Sequence, residues 1–176
     1  MQVDQATKIV HAEAGMKLSQ FHKLVRPYNL AMSSLGSISD QALAGCISTS
    51  THGSGVTYGN LSTFVRFLVI VLPDENCSVV RVSRDNDPDL FLASLCGLGV
   101  TGIIVGVGVE CEEDFKLEEE CWVVGFEDFK RDWQAIAESG EHVRCWWFPQ
   151  VGEVKISRMN RTKKVSLVVP SFTFSD

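Results

Sequence analysis

From Ser34 to Gly55 the chain reads SLGSISDQALAGCISTSTHGSG, a run of glycines and hydroxyl residues with Asp40 as its one fixed charge and His52 as its one imidazole. Such residues let backbone N–H groups and hydroxyls come up against a large ligand, because glycine accepts positive φ and carries no side chain to hold the ligand off. The chemistry this suits is the cradling of an anionic cofactor. A hydrogen bond to a charged phosphate is worth about 1.5–3 kcal/mol, so three or four placed donors would hold one. The plainer reading is a solvated linker. Against it, Ile38, Ala42, Leu43, Ala44, Cys46 and Ile47 interleave apolar bulk that a linker does not need, and Asp40 is placed to cap a short helix over 41–48. On the residues alone, a ligand loop and a packed structural turn both stay open.

Three further groups of residues invite a chemical reading. Gly97, Gly99 and Gly102 satisfy the G-x-G-x-x-G pattern of dinucleotide-binding folds, but that fingerprint must follow a strand and open a helix. Here a helical pattern precedes it and the β-rich run 103–109 follows, so a nicotinamide-binding Rossmann site is set aside. His142, Arg144 and Trp146 share one face of an alternating strand, with Val143, Cys145 and Trp147 on the other. That pattern admits a substrate-contacting face; the simpler and preferred reading is a core of tryptophans with Arg144 as a solvated neighbour. Seven acidic residues between Glu110 and Glu120 lack metal-ligand spacing and read as a boundary or solvated edge.

The string LGSISDQALAGCISTSTHGSG, followed in order by SLCGLGVTGII (94–104) and EHVRCWWFPQ (141–150), resembles the FAD-linked sugar-lactone oxidases of the vanillyl-alcohol-oxidase type, in particular the D-arabinono-1,4-lactone and L-gulonolactone oxidases. The resemblance implies FAD as cofactor, with Ser37, Gly45, Thr49, Ser50, Thr51, His52 and Gly53 lining it and main-chain groups of Gly102, Ile103 and Ile104 meeting its adenine end. It implies that His52 supports the cradle and is not a covalent anchor, since the family's anchor lies in a GSGHS-like loop that has no counterpart here. It also implies an internal segment of a longer enzyme, with no catalytic residue and no metal ligand assigned within it. The implied activity is oxidation of a sugar lactone with reduction of dioxygen to hydrogen peroxide. The competing expectation is a folded piece that holds no FAD tightly and serves as an interaction module.

The elements that must carry these residues follow from periodicity. Lys8 to Ala14 alternates as a strand, 17–26 has helical spacing that should stop near Pro27, and 30–34 is a second strand, giving a β-α-β opening. His11 and His22 fall on this scaffold. Tyr58-Gly59-Asn60 is turn chemistry, and 64–72 and 78–83 form a hairpin about a Pro73-Asp74 turn. Asp87-Pro88 opens a helix whose buried side is Leu90, Phe91, Leu92, Leu95 and Cys96, closed at Gly97 or Gly99. A central strand over 101–110 follows, whose glycines would let a flat ring or another backbone come close. Strands at 116–124, 143–148, 153–157 and 165–169 flank a helix over 127–138 with Phe129, Trp133, Ile136 and Ala137 on one side, and the basic residues from Lys155 to Lys164 read as solvated surface. The expected class is α+β. The resemblance implies that residues 1–111 are the second half of a PCMH-type FAD-binding domain, a mixed or antiparallel sheet with flanking helices, and 112–176 the beginning of an α+β cap domain.

The composition sets limits. A chain of 176 residues buries roughly 70% of its unfolded surface and can fold alone. A net charge of −6 disfavours nucleic acid as a partner. The six cysteines show no C-x-x-C pair and lie in apolar stretches, which suits buried free thiols in a reducing compartment. No apolar run is long enough for a membrane span and no signal pattern opens the chain, so the expectation is an intracellular protein. Association with mitochondrial membranes is implied only by the resemblance.

Overall fold

The computed structural model describes residues 1–164. In chain order it contains β1 (Gln2–Asp4), β2 (Ile9–Glu13), α1 (Leu18–Val25), β3 (Leu30–Ala31), α2 (Leu43–Ser48), β4 (Val65–Val71), β5 (Val79–Ser83), α3 (Pro88–Ser94), β6 (Ile103–Glu110), β7 (Glu112–Glu113), β8 (Lys116–Gly125), α4 (Phe126–Ala137), β9 (His142–Phe148) and β10 (Glu153–Thr162). The expected strand over 165–169 lies outside the described residues.

β1, β2, β6, β4 and β5 form one antiparallel sheet in that spatial order, with β6 at its centre. Registers explain its two faces. Ala12, Val107, Leu68 and Val82 stand opposite one another across four strands, and all four are buried. Val10, Val109 and Val65 make a parallel row. Against these rows pack Phe21 of α1, Leu43 and Ile47 of α2 and Phe91 of α3, each fully or almost fully buried. Burial of one such side chain contributes about 1.5–3 kcal/mol, which is why three short helices hold to this face.

The opposite face carries His11, Gly108 and Phe67 in one row and Gly106, Val69 and Arg81 in the next. A Cβ on Gly108 would lie 2.1 Å from the Phe67 ring, so the flat ring that this glycine admits is the chain's own. His11 meets that ring edge-on, and Arg81 lies over it at 3.9 Å.

The second sheet has the order β8-β10-β9, antiparallel throughout, with Val154 and Ile156 buried at its centre and α4 packed on it. β7, which falls between the two sheets in the chain, pairs with β3 as a two-stranded ribbon, Leu30 with Glu113 and Ala31 with Glu112.

Several expectations are met and several corrected. The β4-β5 hairpin forms, and Asp87 caps α3 through Leu90 N–H with Pro88 next to it. The glycine run after α3 precedes a strand, as the exclusion of a Rossmann site requires. The opening is not a β-α-β unit, because β3 leaves the first sheet to pair with β7, and β1 precedes it as an extra edge strand. Asp40 does not cap α2. Lys17 takes its carboxylate at 3.0 Å, and the residue before the helix is Ala42, which has no side-chain cap. Leu92 and Cys96 are exposed, while Ser94 takes the buried place beside Phe91. The turn after α3 is made by Cys96 at φ 57, not by a glycine cap at 97. All six cysteines are free, but only Cys46 and Cys111 are buried. No residue of α4 is fully buried, and Trp133, Trp146 and Trp147 are exposed, so the tryptophans are not core.

Candidate functional site

The glycine- and hydroxyl-rich stretch is held by backbone bonds to the first sheet. Leu18 and Ser19 N–H donate to Gln41 and Ser39 carbonyls, and Leu43 and Ala44 N–H donate to Met16 and Ala14. Ala14 N–H in turn donates to Val105 of β6, so α2 is laced to the central strand through one intervening residue. At its far end, Cys96 and Leu98 N–H donate to Ile47 and Ser48 carbonyls.

Both ends of this stretch come together. A Cβ on Gly53 would lie 2.3 Å from Ser34 Oγ, and one on Gly36 would lie 2.9 Å from Thr51 Cγ2. Glycine is therefore needed at 36 and 53 for two loop segments to pass in contact. Together Ser34–Ser37 and His52–Ser54 make one wall of a pocket of about 840 Å³. That volume lies in the range of small-molecule sites. The facing wall is His142–Cys145 of β9, with Phe115, Leu117 and Met159 beside it.

Polar atoms around this pocket are left without partners: Ser34 Oγ, His22 Nε2, His142 Nε2 and Arg144 Nε. A buried polar group without a partner costs about 1–3 kcal/mol, and such groups mark places where a ligand or water completes the bonding. Ser34 and His142 are only 4% and 5% exposed, which makes their vacancies the informative ones. Burial holds the His22 imidazole below its usual value, against the opposing pull of Asp114, so it is neutral at pH 7.

Arg144 crosses the pocket. Its Nη1 donates to Ser37 Oγ at 3.0 Å, and its guanidinium lies 4.6 Å above the Trp146 ring. The reading of Arg144 as a solvated neighbour is corrected by these two contacts. His142 Nδ1 lies 2.9 Å from the Ser54 carbonyl, and since a carbonyl only accepts, Nδ1 carries the proton. Its Nε2 lies 3.9 Å from the Glu141 carboxylate.

A polar latch holds the two walls in place. Tyr58, just past the cradle, stacks on His142 and donates its hydroxyl to Glu141. Arg161 of β10 pairs with Glu141 at 2.7 Å and grips both carboxylate oxygens of Glu112. The Arg161 bond holds Glu112 below the usual carboxylate range. Burial pushes Glu141 up, but the bonds from Tyr58 and Arg161 outweigh it and leave that carboxyl low as well. Burial and the Glu141 carboxylate raise the Tyr58 phenol, so it stays a donor. The basic segment that reads as solvated surface thus contains the latch's cation.

Of the ten residues that the sequence resemblance marks for cofactor contact, Ser37, His52 and Gly53 line the pocket. Thr49 Oγ1 donates to Gly45 O, and Ser50 Oγ accepts from Asn60, so both spend a hydrogen bond on the chain itself. Thr51 N–H donates to the Cys46 carbonyl at 3.0 Å. Gly45 lies on the exposed side of α2, where an added Cβ meets nothing within 4 Å. Gly102 passes against the Val71 carbonyl at φ +144, Ile103 is 70% exposed and Ile104 is half-buried; none of these three lines the pocket. His22, Ser34, Tyr58 and Arg161 are site or latch residues that sequence reasoning missed as such, and only the imidazole, hydroxyl, phenol and guanidinium they carry could have marked them. Among the described residues no group of His, Cys, Asp and Glu could hold a metal ion, and no helix is long and apolar enough to cross a membrane.

Residues 1–82 match the family model described as "FAD binding domain", and residues 107–173 match the one described as "D-arabinono-1,4-lactone oxidase". D-arabinono-1,4-lactone oxidase of Kluyveromyces lactis is 33% identical over 155 residues, covering 88% of this chain and 29% of that protein. L-galactono-1,4-lactone dehydrogenase, mitochondrial, of Brassica oleracea is 28% identical over 166 residues, covering 94% of this chain and 27% of that protein. The chain thus spans less than a third of the length of these curated relatives. Among solved structures, a solvent-stable cholesterol oxidase superposes with a TM-score of 0.80 at 19% identity, over 90% of this chain and 33% of its own. At that identity the likeness establishes the fold.

Proposed function

We propose, from the premise that this chain is related along both its halves to the FAD-linked sugar-lactone oxidases, that it supplies part of an FAD site and the wall that faces it. Residues 1–111 form the second half of the FAD-binding domain, and 112–176 open the substrate-side cap. The single observation that carries this reading is the pocket in which both ends of the 34–55 stretch face β9, with Ser34 Oγ and His142 Nε2 left without hydrogen-bond partners.

The residues present fit the cofactor in a specific way. Gly45 sits inside a helix, where glycine costs about 0.5–1 kcal/mol relative to alanine, yet no neighbour in the chain requires it. Close approach of a ligand is a reason for glycine there. Ser37, Thr49, Ser50, Thr51, His52 and Gly53 offer hydroxyls and N–H groups along the same stretch, with His52 as support. Gly102, Ile103 and Ile104, joined to α2 through Ala14 and Val105, offer main-chain groups to the adenine end. Bound there, FAD would supply the redox chemistry that takes a hydride from the carbinol carbon of a sugar lactone and returns the electrons to dioxygen as hydrogen peroxide. The chain's own residues bind, orient and close off the site. No catalytic base is assigned among them, and the complete activity belongs to the longer protein. Location at mitochondria, as the Brassica relative's name has it, is part of the same proposal.

Absorbance near about 450 nm in protein purified without added cofactor, or after incubation with FAD and desalting, supports the reading. Protein that retains no FAD and takes none up in titration contradicts it. Exposed Leu98, Val100 and Ile103 favour a second reading, a folded chain that holds no flavin and acts through a docking surface. A flavin-free monomer by light scattering that associates with a separately expressed partner segment, without gaining colour, would favour that one.

A further inference from the structure

We infer that Arg144 is the group that recognises the carbonyl oxygen of the lactone, so that the face of β9 carrying it discriminates lactones from the corresponding cyclic ethers. The inference rests on the reading of the pocket as a sugar-lactone site and goes on to name one contact in it.

Arg144 lines the pocket, between the cradle wall and the second sheet. A guanidinium has five N–H donors and no acceptor, and it stays charged at any working pH. One donor is spent on Ser37 Oγ, and Nε has no partner. The bond to Ser37 and the Trp146 ring beneath it fix the plane of the fork, so a ligand pays little to order it. Among the described pocket residues, Arg144 and Asp114 are the side chains with a fixed charge.

Two positions earlier on the same strand face, His142 also lines the pocket, held in place by the bond of Nδ1 to the Ser54 carbonyl and with Nε2 3.9 Å from the Glu141 carboxylate. A donor-only group suits a ligand that presents an oxygen without a hydrogen. A sugar lactone does that, with its carbonyl beside ring hydroxyls. Phe115, Leu117 and Met159 supply apolar surface for the C–H side of a furanose ring. Arg144 binds and positions; no proton or hydride passes through it.

The test compares D-arabinono-1,4-lactone with 1,4-anhydro-D-arabinitol, which keeps the hydroxyls and lacks the carbonyl, by calorimetric titration of the FAD-saturated chain. Arg144→Met is expected to raise the lactone Kd about tenfold or more, the worth of one charged hydrogen bond, while the anhydroalditol Kd and the FAD Kd stay within about twofold. Arg144→Lys keeps the charge but not the fork, and is expected to recover only part of the lactone affinity. In wild-type protein labelled at arginine nitrogen, one Nε–H resonance is expected to shift on adding lactone and not on adding the ether. That reading holds even where a variant fails to fold. Equal loss of both sugars, loss of FAD binding in the variant, or no lactone-dependent resonance shift overturns the inference. Wild-type protein that takes up FAD but no lactone also overturns it and leaves the cofactor reading standing. Wild-type protein that takes up no FAD overturns the cofactor reading, and the lactone titration of that protein then decides the inference by itself.

Discussion

The Tyr58 ring lies parallel to the His142 imidazole, with centroids 4.7 Å apart and planes inclined by 13°, and this stack joins the loop leaving the cradle to the first residue of β9. The Tyr58 hydroxyl donates to Glu141, the neighbour of His142, so one side chain holds both the ring and the carboxylate of the facing wall. Tyr58→Phe keeps the stack and removes the hydroxyl bond. It is expected to destabilise the chain by about 1 kcal/mol in urea unfolding, and Tyr58→Ala by more, since the ring's contact goes as well. Equal effects of the two substitutions would deny the stack any role.

The Arg161 latch has an acid limb. Glu112 and Glu141 both titrate below the ordinary glutamate value of 4.5 in the folded chain. A depressed carboxylate contributes stability that is complete above its unfolded value and is lost as pH falls through the folded value. The urea midpoint is therefore expected to fall as pH drops below about 4.5, and Arg161→Met, which removes the latch cation, is expected to lessen that fall while lowering the midpoint at pH 7. A steeper acid fall in the variant would have the wrong sign. The two carboxylates are partly exposed, so salt is expected to weaken the effect.

Thiol reactivity should divide the six cysteines. Burial and the nearby Glu112 push the Cys111 thiol up to about 12, and burial also raises Cys46. Native protein treated with a thiol-specific aromatic disulfide is expected to react at Cys77, Cys96, Cys121 and Cys145, and at Cys46 and Cys111 only after denaturation. Peptide mapping reads this directly, and early labelling of Cys111 would contradict the packing of β6 against β2.

Gly108→Ala is expected to cost about 1–3 kcal/mol, because its Cβ would enter the Phe67 ring. Phe67→Leu in the same chain is expected to recover part of that loss, as relief of a clash requires. No recovery would place the cost elsewhere.

What the sequence discloses here is local. The β4-β5 hairpin is legible because a run of apolar residues, a Pro-Asp turn and a second run lie side by side, and Asp87-Pro88 is legible because a cap acts within three residues. The Leu30 to Glu113 pairing that takes β3 out of the first sheet spans almost half of the chain, and nothing in either short segment names its partner. Asp40 looks like a cap until Lys17, 23 residues earlier, competes for it. The site divides the same way. The residue types of 34–55 announce a ligand stretch, and the alternation of β9 puts His142 and Arg144 on one face. The Arg144 to Ser37 bond joins positions 107 apart, and the tryptophans of β9 read as core only until the second sheet is seen to leave that edge open.

The central claim is that the 34–55 stretch is shaped for a flavin and not for its own packing, and Gly45 separates the two. Titration of FAD into the wild-type chain and into Gly45→Ala, followed by flavin fluorescence with thermal unfolding recorded on the same samples, tests it most directly. The expected result is saturable binding to wild type, a Kd raised about tenfold or more in the variant, and a variant as stable as wild type or more stable by about 0.5–1 kcal/mol. Absence of FAD binding by the wild type, or a variant that binds FAD as tightly as wild type does, would contradict it.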